Sequence, residues 1–97
     1  MAQVIYSAEA LGDLERIIEF LLQTSPETAG AALEQIMSAV SILARHPQIG
    51  RRVDAERREL VIAYGATGYL ALYRFDAGPD VVRILRIRHQ REAGYRD

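Results

Sequence analysis

The stretch RELVIAYGATGYLALYRFDAGPDVVRILRIRH, residues 58–89, decides the fold. It contains three runs rich in β-branched and aromatic residues, and the two short segments between them hold the glycine, proline and aspartate typical of turns. The three runs are RELVIAY (58–64), GYLALYRF (68–75) and DVVRILRIRH (80–89). Because turns this short bring consecutive strands side by side, the pattern predicts two antiparallel hairpins that share the middle strand.

Two amphipathic helices are predicted before these strands. The first begins at Ser7 as N-cap and carries apolar residues at helical spacing, with Asp13 largely on the opposite, polar side. The second begins in the segment TSPET, where Pro26 takes the first helical position after a serine N-cap. It ends at His46-Pro47, because the residue before a proline is pushed out of the helical region. The predicted core positions of the two helices are Leu14, Ile18, Leu21, Leu33, Ile36 and Val40.

The short run AQVIYS, residues 2–7, adds a strand at the start of the chain. The predicted order is therefore β-α-α-β-β-β, an α+β fold in which a helical hairpin packs on a mostly antiparallel four-stranded sheet. The segment 48–56 is expected to be a loop. The 97 residues leave room for a single domain, 1–97, with one core.

Composition excludes several classes of protein. With 49% hydrophobic and 26% charged residues, the chain resembles an ordinary globular domain. No apolar run approaches the ~18 residues of a membrane span, and no signal-peptide pattern is visible. The absence of cysteine excludes disulfides and thiolate metal sites and makes the cytoplasm the expected location. Because His46 and His89 lack nearby carboxylates at ligand spacing, neither a metal nor another cofactor is expected.

The charge is unevenly distributed along the chain. Residues 1–44 carry one arginine and six acidic residues, whereas residues 45–97 carry eleven arginines and seven acidic residues. All 12 basic residues are arginines, whose planar guanidinium suits phosphates and carboxylates, although a base-composition bias would also explain the missing lysines. The basic second half therefore predicts an anionic or acidic partner.

These arginines concentrate in RRVDAERR (51–58) and in the terminal stretch RILRIRHQREAGYRD (83–97). Because side chains alternate along a strand, the last strand is predicted to have two mixed faces, apolar at its start and basic at its end. The predicted faces are Val81, Arg83, Leu85, Ile87 and His89 on one side and Val82, Ile84, Arg86 and Arg88 on the other.

Regular pairing of the hairpins would place Arg57 and Arg58 near Arg74 and away from the end of the last strand. The basic residues would then form two clusters rather than one. Two other roles stay open for these arginines: local ion pairs with Asp54 and Glu56 in the loop, or pairing of the strand arginines with acidic side chains of the helices. The available helix carboxylates are Glu15, Glu19 and Glu34.

Four segments in this order resemble the ParE/RelE superfamily of bacterial toxins from type II toxin–antitoxin systems. They are SAEALGDLERIIEFL (7–21), LARHPQIGRR (43–52), GYLALYRF (68–75) and RILRIRHQREAGY (83–95). The resemblance covers nearly the whole chain. The pattern L-x-x-H-P-x-x-G, followed by a Tyr-Arg strand and an R-H-x-R ending, is closer to the ParE branch.

This resemblance implies a toxin that a cognate antitoxin, ParD-like or similar, silences by folding against it, often within a larger assembly. ParE-like members, associated with plasmid stabilisation and growth arrest, act on DNA gyrase, whereas RelE-like members cut messenger RNA in the ribosome. One fold hosts both activities. A third alternative is a non-toxic module that only binds the antitoxin. The residues expected to bind the target or partner are Arg57, Arg58, Arg74, Arg86, Arg88, His89, Arg91 and Tyr95.

A metal-independent endoribonuclease would need groups that exchange protons near neutral pH beside fixed positive charge. The residues matching the nuclease branch in type are Arg74, His89 and Tyr95. His89 is equally compatible with a hydrogen-bonding role at the strand end, and arginine is a poor proton carrier because it stays charged. An inhibitor needs only a complementary surface, so the residues favour an inhibitor over a nuclease. That the target is gyrase is implied only by the resemblance to the ParE branch.

Overall fold

The computed structural model describes residues 1–95, and within them the α+β class and the predicted element order are confirmed. The sheet of this range has five strands instead of four, because the two-residue strand β2 forms inside the segment predicted as a loop and pairs antiparallel with β3. The elements are β1 (Gln3–Tyr6), α1 (Ala8–Thr24), α2 (Pro26–Ser41), a 3-10 turn (Ile42–Ala44), β2 (Arg51–Arg52), β3 (Arg57–Tyr64), β4 (Thr67–Asp76) and β5 (Val81–His89).

The strands form one sheet in the order β1-β5-β4-β3-β2. Both predicted hairpins are confirmed, since β4 pairs antiparallel with β3 and with β5, while β1 lies parallel to β5. The β3–β4 hairpin turns on Gly65 and Ala66, and the φ of +61° at Gly65 is a conformation that glycine adopts without a steric penalty. This order places β4, with its ten residues, at the centre of the sheet.

Ser7 begins α1 as predicted. Its Oγ accepts a hydrogen bond from the Ala10 N–H at 3.0 Å and donates one to the Leu85 carbonyl at 2.9 Å, so one side chain caps the helix and ties it to β5. The second helix begins at Pro26, also as predicted, although the Ser25 side chain makes no capping hydrogen bond. Neither helix of the described chain is long and apolar enough to cross a membrane.

The helical hairpin packs on one face of the sheet, called here the inner face. Of the predicted helical core positions, Leu14, Ile36 and Val40 are buried. The remaining predicted positions lie nearer the margin of the interface and are half-buried; they are Ile18, Leu21 and Leu33. The inner face of β4 consists of Tyr69, Ala71, Tyr73 and Phe75.

A β-bulge in β5 changes the predicted alternation of its side chains. Tyr73 pairs with Ile84, while the preceding residue of β4 pairs with Arg86, so Leu85 is an extra residue in the ladder. A bulge shifts the alternation by one position, which lets Ile84 and Ile87 both enter the core. The predicted faces are therefore wrong from Leu85 onward. The inner face of β5 carries Val82, Ile84, Ile87 and His89, and the outer face carries Val81, Arg83, Arg86 and Arg88.

Candidate interaction surface

Three arginines lie side by side across the outer face of the sheet, the face opposite the helices. Arg57 on β3 pairs with Arg74 on β4, which in turn pairs with Arg83 on β5. Neighbouring strands are about 4.8 Å apart, so these three residues, called here the arginine row, span about 10 Å. Their side chains are 45%, 40% and 43% exposed, respectively. The row agrees with the predicted proximity of Arg57 and Arg74, and it adds Arg83, which sequence reasoning did not place in the site.

Two carboxylates accompany the arginine row. Oδ1 of Asp76 lies 3.0 Å from Nε of Arg74, and its Oδ2 accepts a hydrogen bond from Nε of Arg83 at 2.9 Å. Asp54 accepts a hydrogen bond from Nε of Arg57 at 2.8 Å. The bond from Arg83 is the main cause that lowers the pKa of Asp76, and the bond from Arg57 is the main cause that lowers the pKa of Asp54 to about 2. Three guanidinium groups therefore face two ionised carboxylates at neutral pH.

Arg58, also predicted to join the site, lies on the inner side of β3 opposite Tyr73. Its Nη1 donates hydrogen bonds to the carbonyls of Gln48 at 3.0 Å and Gly50 at 2.8 Å. The Gly50 N–H in turn donates to the Tyr73 hydroxyl at 2.9 Å. Arg58 therefore fastens the loop after α2 to the sheet and is only half-exposed.

Arg86 is mostly buried, contrary to the expectation of an exposed cation that grips a partner. Its side chain is 16% exposed, and Asp13, which it contacts, is 1% exposed. Nε and Nη2 of Arg86 each donate a hydrogen bond of 2.9 Å to the carboxylate of Asp13. Bidentate pairing of this kind fixes both side chains, so Arg86 holds α1 against β5. Its helix partner is Asp13 rather than the glutamates considered from the sequence.

Asp13 also completes the hydrogen bonding of β5 where β1 ends. Beyond Ile84, no strand among residues 1–95 pairs with this edge, and the Ile87 N–H donates to Oδ2 of Asp13 at 2.8 Å. Burial raises the pKa of Asp13, but the hydrogen bonds from Arg86, the Ile87 N–H and Arg16 outweigh it and lower the pKa below its ordinary value. The assignment of Asp13 to the polar side of α1 is therefore wrong.

The chain end folds over the other end of the outer face. The Tyr95 hydroxyl donates to Oε2 of Glu59 at 2.6 Å, and the Arg88 guanidinium lies 5.0 Å from the centre of the Tyr95 ring. Glu59 is buried and also binds Arg51, and Nη1 of Arg88 donates to the Glu92 carbonyl at 2.7 Å. Burial, followed by the hydrogen bond to Glu59, raises the pKa of Tyr95. Tyr95 and Arg88 are therefore engaged within the chain.

His89 lies on the inner face, where its ring is edge-on to Tyr69 at 5.3 Å between centroids. Nδ1 accepts a hydrogen bond from the Arg91 N–H at 3.1 Å, and Nε2 lies 3.2 Å from Oγ1 of Thr67. Because Nδ1 is an acceptor here, the hydrogen-bond pattern assigns Nε2 as the donor toward Thr67. His89 thus fixes the end of β5, while the Arg91 side chain next to it is exposed.

The structure does not bring the nuclease candidates Arg74, His89 and Tyr95 together. His89 pairs with Tyr69, five residues before Arg74 on the same strand, which corresponds to about 17 Å along β4. The two residues also project from opposite faces of the sheet. Tyr95 lies on the outer face, but it contacts Glu59 rather than the arginine row. No single site formed by these three residues exists in the described chain.

The comparisons with known proteins agree with this architecture. The family model described as the ParE toxin of the type II toxin–antitoxin system parDE matches residues 4–94. Toxin RelE3 of Caulobacter vibrioides is 39% identical over 92 residues, which cover 95% of this chain and 98% of that protein. Toxin RelE2 of the same organism is 37% identical over 89 residues, covering 92% and 96% of the two chains.

Among solved structures, the toxin–antitoxin complex RelBE2 of Mycobacterium tuberculosis matches with a TM-score of 0.59 and 29% identity, covering 92% of this chain and 98% of that one. A chain of the chromosomal ParDE system of P. aeruginosa matches with a TM-score of 0.73, and its 22% identity over 92% of this chain and 96% of its own supports the fold. The chain therefore belongs to the ParE toxin family of type II toxin–antitoxin systems, within the ParE/RelE superfamily.

Proposed function

We propose that this chain is the toxin of a toxin–antitoxin pair and stops growth by binding DNA gyrase, without catalysing a reaction. The observation that carries this proposal is the separation of Arg74 from His89 by about 17 Å and by the thickness of the sheet. A nuclease needs its proton-exchanging groups and its phosphate-binding cations within hydrogen-bond reach of one substrate. Binding a protein does not require these groups to lie within reach of one substrate.

Apolar residues on the outer face also favour an inhibitor. The rung next to the arginine row holds Glu59, Leu72 and Arg86, and beyond it Val61 lies opposite Leu70, which in turn pairs with Arg88. Val61 is exposed, whereas Leu70 is buried. An exposed apolar side chain among charged groups suits a protein interface, which combines an apolar core with a polar rim.

The proposed antitoxin would bind where the helical hairpin leaves large apolar side chains uncovered. Phe20 is 63% exposed, and other apolar residues on the outer sides of α1 and α2 are about half exposed. An amphipathic segment of a partner could cover such residues, which is a common mode of recognition. Both solved structures named above come from toxin–antitoxin systems. The exposed residues in question are Leu11, Phe20, Leu22 and Met37.

A RelE-like ribonuclease is the second candidate, because two relatives at 39% and 37% identity are named RelE toxins. In that case the cation next to His89 would be the exposed Arg91 rather than Arg74. The Arg91 N–H already binds the histidine ring at 3.1 Å. A bound substrate would either displace this hydrogen bond or be held beside His89 with the bond still in place.

Two assays on one purified preparation separate the candidates. The protein is added to gyrase in a supercoiling reaction and, in parallel, to ribosomes carrying a defined message. Inhibited supercoiling with intact message is the expected result, whereas normal supercoiling with cleaved message would overturn the proposal. Expression without the antitoxin should arrest growth; normal growth at high levels of soluble protein would instead support a non-toxic antitoxin-binding module.

A further inference from the structure

Within residues 1–95, the three guanidinium groups of the arginine row share only two carboxylates, Asp54 and Asp76. Asp76 serves two guanidinium groups, and the better bond goes to Arg83, whose Nε donates at 2.9 Å. The contacts of Arg74 with Asp76 are weaker. Its Nη2 is 3.4 Å from Oδ2, and its buried Nε has no aligned acceptor although Oδ1 is 3.0 Å away. A buried guanidinium nitrogen without an aligned acceptor is unfavourable, so Arg74 is short of one anionic partner.

The row is also unfavourable as a cross-strand arrangement, because like charges directly opposite each other destabilise a sheet. Arg57 is opposite Arg74, and Arg74 is opposite Arg83, with one carboxylate shared by the last two. All three side chains remain accessible to a partner. An incoming anion would relieve the repulsion and give Nη2 of Arg74, whose contact with Asp76 is 3.4 Å long, a closer acceptor.

The chemistry around the row favours a discrete carboxylate over a nucleic-acid backbone. Asp76 already demonstrates that a carboxylate fits between two of these guanidinium groups, with one oxygen toward each. A groove beside it is lined by Ala55, Glu56, Arg74, Phe75 and Asp76. Its acidic residues, together with nearby Asp54, would repel a continuous row of phosphates, whereas a single glutamate or aspartate beside an apolar residue can fit between them.

We propose that the arginine row is the docking site for an acidic segment of the target protein, and that Asp76 is the internal carboxylate with which that segment competes. This inference rests on the function proposed above, in which the target is bound as a protein. A carboxylate from the target pairs with Arg74 and Arg57, while Asp76 retains Arg83. Asp76 thus weakens binding, because its charge repels the incoming carboxylate and its oxygens occupy the same donors.

Opposite effects of two neighbouring substitutions test this proposal. Asp76→Asn removes the competing charge, and the concentration needed to inhibit gyrase should fall about threefold to tenfold. Arg74→Gln removes the donor without an aligned acceptor, and the same concentration should rise about tenfold or more. Arg45→Gln, which replaces an exposed arginine outside the row, is the matched control and should leave inhibition unchanged. Unchanged melting temperatures show that each variant is folded.

A probe that does not depend on gyrase separates failure of this inference from failure of the proposed function. Fluorescein-labelled hexaglutamate should bind the wild-type protein in fluorescence anisotropy, more tightly to Asp76→Asn and more weakly to Arg74→Gln. If gyrase is not inhibited while this order holds, the proposed function fails and the carboxylate site stands. Equal binding by Asp76→Asn and the wild type would overturn the inference. The inference would also be overturned if a six-nucleotide single-stranded RNA bound the protein more tightly than hexaglutamate does and lost affinity in the same way with Arg74→Gln.

Discussion

Replacing Asp13 by alanine should destabilise the protein more than a surface substitution could. The change leaves the guanidinium of Arg86, 16% exposed, without its bidentate carboxylate and removes the acceptor of the Ile87 N–H. Breaking a buried ion pair from one side costs about 3–5 kcal/mol, a large part of the ~5–15 kcal/mol that holds such a domain together. The melting temperature should therefore fall by at least about 12 °C.

Thermal unfolding followed by circular dichroism measures this fall. Glu15→Ala is the matched control, because Glu15 lies on the same helix and is exposed, and its melting temperature should stay within about 3 °C of the wild type. If Asp13→Ala does not fold, the double variant Asp13→Leu, Arg86→Met keeps the test open, since it removes both charges of the ion pair together. A small shift for Asp13→Ala, or a double variant less stable than it, would refute the structural role of the pair.

Three further predictions concern the same framework. Ser7→Ala removes the N-cap of α1 and should lower the free energy of unfolding by about 1 kcal/mol, measured by urea denaturation. Gly50→Ala would bring a Cβ within 2.7 Å of the Tyr73 ring and hydroxyl, so the urea midpoint should fall further than for Ser7→Ala; equal midpoints would contradict the close contact. The hydrogen bonds and ion pairs of Asp13 and Glu59 outweigh burial and lower both pKa values from 3.8 and 4.5. Above these pKa values of the unfolded state, the interactions of the ionised carboxylates stabilise the fold, and this stabilisation is lost as the pH falls below them. The melting temperature should therefore fall between about pH 5 and pH 3, and a melting temperature that does not change over this range would contradict the assignment.

The hairpins and the helix starts were predictable because their determinants are local. Apolar runs, turn residues, a serine N-cap and a proline at the first helical position each act over a few residues. The proximity of Arg57 to Arg74 followed from the same reasoning, since a short turn fixes the register of a regular hairpin. Membership of the toxin family followed from the order of the segments rather than from any single one.

The bulge at Leu85 could not be predicted in this way. No glycine or proline marks it, and it forms where β5 leaves its pairing with β1 and contacts α1 instead. That change of neighbour is a tertiary event, and it moves Arg86 and Arg88 to the outer face, whereas strict alternation placed both on the same face as Ile84. Arg83 precedes the bulge, so its position in the row does not depend on it.

Asp13 did leave a signal in the sequence. It occupies a helical position between Ala10, Leu14 and Ile17, which share one side of the helix at spacings of three and four residues. An acidic residue within an apolar stripe predicts a buried partner, because a carboxylate is not buried alone. The contact of Tyr95 with Glu59, 36 positions earlier in the chain, left no comparable signal.

The stoichiometry of inhibition tests the central claim most directly. Gyrase at a fixed concentration is titrated with the purified protein, and residual supercoiling is measured at each ratio. An inhibitor that acts by contact should reach full effect near one molecule per gyrase binding site and lose it when the antitoxin is added. The account would be contradicted if supercoiling continued undiminished at a large excess of the protein. Cleavage of ribosome-bound message by an amount of protein far below the amount of message would contradict it as well, since that is catalytic turnover.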